Sequence, residues 1–266
     1  MNISIDRALE ILSEFPILSN TEVIDLNKAY KRILSEDMNA LVDSPPFDNS
    51  SIDGWAILST DSPSDRQQVE TIFAGDTIPR PLQPGEAFRI MTGAPTPPNA
   101  DALVMVEDGL HGVARKNFIR RKGENISKGM VALEKNTMLT SAPLALLATI
   151  GHSQVPVYSR PKVSIISTGD ELVKPGSRLE PGQIYESNSI LLSSLLQKAG
   201  AISTNFKSSD NIDSLRELFD QCAKSSDLIL TSGGVSMGDH DFVRRLLIEE
   251  GEPYFWKVKM RPGGPP

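Results

Sequence analysis

From Lys162 onward the chain alternates short apolar runs with helix-patterned stretches, and this alternation restricts the fold more than any other feature of its 266 residues. Residues 163–166, 201–206, 228–230 and 254–260 read as strands. Between them, Ile190, Leu191, Leu195 and Leu196 mark one helical face. Ile212, Leu215, Leu218, Phe219 and Cys222 mark a second, and Phe242, Val243, Leu246 and Leu247 a third. Ser187-Asn-Ser189 can cap the first helix, with Gly200 past its end, and Asp210 can cap the second. Strands separated by helices imply a parallel sheet with covering helices. The helices are expected near 188–199, 211–224 and 240–250. In such sheets ligands bind beyond the carboxyl ends of the strands.

Chemistry-bearing residues gather at those ends. Thr231-Ser-Gly-Gly-Val-Ser-Met-Gly-Asp-His-Asp241 reads as strand, glycine turn and helix. Gly233 and Gly234 let backbone N–H groups approach a ligand closely, and a helix start adds unpaired donors and a positive dipole end. A phosphate suits that geometry, with Ser232 and Ser236 adding hydroxyls. A carboxylate beside a phosphate repels it unless a cation lies between, and Mg²⁺ is the usual bridge. Asp241 is assigned that role, whereas Asp239 reads as a helix cap. Asp170, Glu171, Asp210 and Lys257 or Arg261 fall at or near other strand ends. Their convergence predicts a phosphorylated ligand with a divalent cation.

The first half of the chain has a different texture. Ser4 reads as the N-cap of a helix whose apolar positions are Ala8, Leu9, Ile11, Leu12 and Phe15, ended by Pro16. Residues 23–26 could form a strand and 29–34 a short helix; periodicity leaves this pair open. Residues 44–56 form a polar loop anchored by Phe47 and Trp55. Residues 56–130 carry Pro and Gly at short intervals between brief apolar runs, the pattern of a small β domain. One run ends in a turn at Thr92-Gly93, which exposes the Thr92 hydroxyl. Arg120-Arg-Lys-Gly-Glu-Asn-Ile126 reads as a charged surface loop. Residues 143–151 read as a helix with Pro in its first turn and Gly at its end. Residues 155–161 form an extended connector and a domain boundary.

Composition excludes several function classes. Net charge is −7, and no basic block exceeds Arg120-Arg-Lys122, so no nucleic-acid surface is expected. The single cysteine, Cys222, cannot form an internal disulfide and falls on a helical apolar face as a buried thiol. Asp6 and Glu10 interrupt any secretory signal, and the apolar run 142–150 is too short to span a bilayer. A cytoplasmic protein without membrane attachment is expected.

Six motifs occur in order: Pro46-Phe-Asp-Asn-Ser-Ser-Ile-Asp-Gly-Trp-Ala56, Arg89-Ile-Met-Thr-Gly-Ala94, Lys122-Gly-Glu-Asn-Ile126, Ser167-Thr-Gly-Asp-Glu-Leu172, Gln183-Ile-Tyr-Glu-Ser-Asn188 and the 231–241 stretch. Together they resemble the molybdopterin molybdenumtransferase family, related to the E domain of gephyrin, over nearly the whole chain. Any one alone would be weak. The resemblance implies an α/β multidomain fold. An elongated α+β domain (1–45 with 131–160) carries an inserted small β domain (46–130). A parallel three-layer α/β domain of molybdopterin-binding type follows (161–266), incomplete at its C-terminal end. It implies Mg²⁺-dependent insertion of molybdate into adenylylated molybdopterin with release of AMP, by a homodimer, with the molybdopterin adenylyltransferase as a further partner.

By position, the resemblance assigns Asp53 and Thr92 to loops that approach the ligand from the partner subunit. Asp170 and Glu171 match the first turn of the α/β domain. Asp210 and Asp241 match acidic residues associated with Mg²⁺ and pyrophosphate. Ser232, Gly233, Gly234 and Ser236 match the molybdopterin-phosphate loop, and Lys257 and Arg261 match basic positions near the substrate. Two departures stand out. Asn125 occupies a position where the family often has Asp. Gly264 replaces the second lysine of a Lys-Pro-Gly-Lys-Pro pattern, just before the sequence stops at Pro266. The expectation is a chain with much of the adenylylated-pterin side of the site and little of the molybdate side, and so of reduced activity. A molybdopterin-binding module without transfer and a non-catalytic scaffold are the alternatives.

Overall fold

The computed structural model describes residues 2–208, 211–233 and 242–260. The chain divides into two compact units, residues 22–157 and residues 1–21 with 158–266. The second unit begins with helix α1 (Ile5–Ser13). Its N-cap is Ser4, whose hydroxyl accepts the Arg7 N–H at 3.2 Å, as the sequence predicts. Of the apolar positions read for this helix, Ala8 is buried, while Leu9, Leu12 and Phe15 are exposed.

In the unit 22–157, four strands form one sheet: β1 (Gly54–Ile57), β2 (Gln67–Ile72), β3 (Glu86–Ile90) and β4 (Ala102–Met105). The order is β2-β3-β1-β4, with β1 antiparallel to both neighbours and β2 parallel to β3. Ala56, Ile72, Phe88, Ile90 and Leu103 fill one core against this sheet. Gly54 starts β1 because nothing larger fits: a Cβ there would lie 1.9 Å from the Val104 carbonyl oxygen. A separate core joins Leu34, Leu139, Val155 and Val157 to Leu147 of helix α2 (Ser141–Thr149). That helix starts two residues before Pro143. The open pair resolves as a strand at Thr21–Asp25 and a 3₁₀ turn at Leu26–Lys28. Residues 29–34 are not helical; Lys31 takes φ 59° and the chain turns there.

The rest of the other unit contains β5 (Lys162–Thr168), α3 (Asn188–Ala199), β6 (Ile202–Ser208), α4 (Ile212–Ser225), β7 (Leu228–Ser232) and α5 (Phe242–Glu250). The sheet order is β6-β5-β7 and every pairing is parallel. The helices fall where the alternation puts them. Central β5 is buried from Val163 to Thr168. Its Ile166 packs with Leu215 and Cys222 of α4 and Val243 and Leu246 of α5, and the Cys222 thiol is fully buried as read.

Three expectations need correction. The cap of α4 is Asn211, whose side chain accepts from the N–H groups of Asp213 and Ser214, so the helix begins one residue later than an Asp210 cap requires. The apolar face of α3 is largely uncovered: Ile190, Leu191 and Leu195 are 54%, 59% and 53% exposed. Residues 254–260 do not join the sheet. Only Lys257–Val258 is strand, and it pairs in parallel with Asn2–Ile3. The aromatic residues that suggested a longer strand make other contacts. Tyr254 sits edge-on to Phe15 at 5.0 Å, and Arg244 lies over Trp256.

Leu215 is 1% exposed at the centre of the α4 contact. Leu215→Ala is expected to destabilise the fold by about 2–5 kcal/mol through lost burial and the cavity left behind. Urea unfolding measures this, and a loss below about 1 kcal/mol would show that α4 is not seated through this side chain.

Candidate functional site

The parallel register lines up the carboxyl ends of three strands. Ser167 of β5 lies opposite Lys207 of β6 and Ser232 of β7, and Thr168 lies opposite Ser208. Ser167, Thr168, Ser208 and Ser232 are all buried. Beyond β5 the chain turns at Gly169, whose φ of 131° a side chain would strain. The Glu171 carboxylate folds back over this glycine, with Oε2 2.6 Å from where a Cβ would stand. Asp170 and Glu171 themselves are exposed. Beyond β7, Gly233 takes φ 93°, and a Cβ would lie 2.9 Å from the Thr168 carbonyl oxygen. The Gly233 turn therefore packs against the last backbone carbonyl of β5, a closeness only glycine permits.

A third segment ties these turns together. Residues 172–173 and 184–185 pair in parallel; the Ile184 N–H donates to the Glu171 carbonyl, and the Glu186 N–H to that of Val173. Glu186 then accepts at its carboxylate from the Ser189 N–H at 2.7 Å, from the Ser189 hydroxyl, and from the Ser167 hydroxyl at 3.4 Å. Ser187 occupies the N-cap position of α3 but makes no side-chain cap bond. The acid just outside the helix does that work, where the helix dipole favours negative charge. Asn188 Nδ2 donates to Ser232 Oγ at 2.9 Å. Lys207 Nζ donates to the Leu172 carbonyl at 2.6 Å and pins the acidic turn from the third strand.

In the unit 22–157, three sequence motifs converge on one loop cluster. Ser50 N–H donates to the Ala94 carbonyl, Gly93 N–H to that of Ser50, and Ser51 N–H to that of Phe118. Asp53 Oδ1 accepts from both the Thr92 N–H at 2.7 Å and the Thr92 hydroxyl at 2.9 Å. Those two bonds, with nearby Arg89, hold the Asp53 pKa below its ordinary value. Arg89 lies over the Trp55 ring at 4.6 Å. The charged loop is solvent-exposed, as read, but its backbone is anchored. Asp48 accepts from the Lys122 N–H at 2.7 Å and from Arg121 at 2.6 Å, and Asp43 accepts from the Lys128 N–H at 2.8 Å. The Asp43 pKa is lowered, chiefly by the Lys128 N–H. Partial burial opposes ionisation of Asp48, but the Lys122 N–H and Arg121 outweigh it and its pKa falls too.

The structure thus gathers Asp170, Glu171, Ser232 and Gly233 in one unit, and Asp53 with Thr92 in the other. Lys257 lies in the short strand that pairs with Asn2–Ile3, outside the three-stranded sheet. Asp210, Gly234, Ser236, Asp239, Asp241, Arg261 and Gly264 lie outside the described residues. Among the described residues no group of three or more His, Cys, Asp or Glu could hold a metal, and no helix is long and apolar enough to cross a membrane. Sequence reasoning passed over Glu186, Asn188 and Lys207. Glu186 and Asn188 had a signal, since both fall in the 183–188 motif of the resemblance, and Asn188 also in the Ser187-Asn-Ser189 cap; Lys207 had none.

Two family models match in tandem. "MoeA N-terminal region (domain I and II)" covers residues 3–151, and "Probable molybdopterin binding domain" covers residues 164–266. The chain belongs to the molybdopterin molybdenumtransferase family. Relatives named molybdopterin molybdenumtransferase include those of Haemophilus influenzae, 36% identical over 99% of this chain and 69% of its own length, and of Nostoc sp., 38% identical over 92% and 61%. That of Bacillus subtilis is 36% identical over 98% of this chain and 66% of its own. The chain thus spans about two thirds of the length of these relatives. A crystal structure of the molybdopterin biosynthesis MoeA protein of Pyrococcus horikoshii aligns with a TM-score of 0.84 at 31% identity, covering 100% of this chain and 71% of that one. The family's tandem models fall on the two sequence halves whose textures differ.

Asp43, Asp48 and Asp53 have folded pKa values below their unfolded ones. Their contribution to stability is full above the unfolded value, roughly pH 3.9, and is lost as pH falls through the lower folded values. Asp48→Asn is therefore expected to flatten the acid limb of stability between about pH 5 and pH 2. Urea midpoints across that range check it; an unchanged acid limb would show that the Asp48 anchor is not formed.

Proposed function

We propose that this chain takes adenylylated molybdopterin and molybdate, places molybdenum on the pterin dithiolene and releases AMP, a step of molybdenum cofactor biosynthesis in the cytoplasm. The observation that carries the reading is the Gly233 turn packed against the end of β5, one residue before the Gly169 turn, in the unit matched by the family model "Probable molybdopterin binding domain". Such an arrangement brings backbone donors and hydroxyls to one anionic group. Ser232, Gly233, Gly234 and Ser236 hold the phosphate in this reading, and Asp170 and Glu171 border it. Lys257 and Arg261 supply positive charge toward the oxyanions. In the homodimer of this reading, Asp53 and Thr92 approach the ligand held by the other subunit with their hydrogen-bonded pair already formed.

Mg²⁺ belongs to the proposal, with Asp210 and Asp241 as its ligands; when bound it neutralises charge on the pyrophosphate being cleaved. Both positions lie outside the described residues. Homodimeric assembly and delivery of the substrate by the molybdopterin adenylyltransferase complete the reading.

The test is turnover with adenylylated molybdopterin, Mg²⁺ and molybdate, followed by extraction of the pterin. AMP release that depends on molybdate, with molybdenum retained on the pterin, is the expected result. Binding without release would reduce the chain to a molybdopterin-binding module, and no binding would leave a scaffold. Gly233→Ala should weaken binding of adenylylated molybdopterin about tenfold or more, because the left-handed backbone costs a side chain about 1–2 kcal/mol and the Cβ meets the Thr168 carbonyl. Undiminished affinity in a titration would remove the glycine turn from the site.

A further inference from the structure

Ser167 and Ser232 lie side by side across the β5–β7 pairing, yet their hydroxyls are treated in opposite ways. The Ser167 hydroxyl donates to the Glu186 carboxylate, so its proton is committed to the protein. Ser232 Oγ instead accepts from Asn188 Nδ2 at 2.9 Å. A carboxamide NH₂ is a donor only, so the Ser232 oxygen must act as acceptor toward it. The Ser232 proton is then turned elsewhere, and among the described residues no acceptor takes it. Ser232 is only 9% exposed and is followed directly by Gly233 in its left-handed turn.

We propose that Asn188 is a positioning residue that turns the Ser232 hydroxyl into a donor for the anionic group of the ligand. Asn188 does not touch the ligand; it acts through Ser232. Glu186 makes this possible by holding the first turn of α3 through Ser189, which fixes Asn188 beside the end of β7. The inference rests on the reading of Ser232 and Gly233 as part of the phosphate-binding turn. It adds the direction of the hydroxyl proton and the residue that sets it.

Replacing Asn188 by aspartate separates orientation from simple bracing. A carboxylate at 188 can keep the bridge to Ser232, but only by accepting, which reverses the hydroxyl and removes its proton from the ligand. The experiment is calorimetric titration of the full chain with adenylylated molybdopterin and Mg²⁺, for wild type, Asn188→Asp, Ser232→Ala and the double variant. Each single change is expected to weaken binding about tenfold, the loss of one hydrogen bond to a charged group. The double variant should bind no worse than Ser232→Ala alone, while urea midpoints stay near wild type. If Asn188→Asp weakens binding further on the Ser232→Ala background, added charge or general disturbance is the cause and the inference is overturned. Undiminished affinity of Asn188→Asp overturns it as well. Should Asn188→Asp fail to fold, Asn188→Ala is read in the same cycle, where additivity with Ser232→Ala overturns the inference. A wild-type chain that does not bind at all defeats the phosphate-site reading itself, an outcome distinct from the others because those leave wild-type binding intact.

Discussion

The parallel pairing of β5 along both edges is the constraint on which the candidate site depends. One register places Lys207, Ser167 and Ser232 in a row across the sheet. Strand side chains alternate between faces, and β5 is buried on both: Ile165 and Ile166, neighbours in sequence, are each fully buried. Ile166 packs against α4 and α5 on one face. A central strand enclosed in this way carries its last polar residues, Ser167 and Thr168, into a buried strand end. The approach of Gly233 to the Thr168 carbonyl follows from the same register, because Ser232 lies opposite Ser167.

The unit 22–157 reaches precision by another route. Its polar loops are not held by a helix-covered sheet but by hydrogen bonds between loops far apart in sequence. Gly54 lets β1 run against the Val104 carbonyl, and the residue before it, Asp53, is thereby placed at a sheet rim facing Thr92. The carboxylate then accepts a backbone and a side-chain donor from one residue, a pairing that fixes both groups. Charge-assisted bonds of this kind are about twice as strong as neutral ones.

Much of the fold was legible in the sequence because its signals are local. The apolar alternation after Lys162 gave strands and helices in their observed places, and Ser4 marked a true cap. The failures have physical causes. Asp210 and Asn211 are both good cap residues, and neither periodicity nor composition distinguishes adjacent candidates; the backbone chose Asn211. The apolar positions of α3 predicted a helix correctly but not its covering, since a pattern records which side is apolar and not what lies against it. Residues 254–260 look like a strand by composition, yet Tyr254 and Trp256 are engaged in contacts with Phe15 and Arg244. At the site, single glycines and acids were visible. The bond that Ser167 gives to Glu186 and the one that Ser232 accepts from Asn188 were not, because both depend on Glu186 and Asn188 arriving from another segment.

The fastening of residues 121–128 bears on how the chain meets a protease. This is among its most basic stretches, with Arg120, Arg121, Lys122 and Lys128 within nine positions, and by composition an inviting target for a trypsin-like enzyme. Cleavage requires several residues of backbone to be drawn out into an extended conformation. Here the N–H groups of Lys122 and Lys128 are held by the carboxylates of Asp48 and Asp43, and that of Asn125 by the Ser44 carbonyl. Unfastening all three anchors at once is a cooperative opening and not a fluctuation of an exposed tip. A loop that advertises its lysines and arginines is in this way kept from being cut at them.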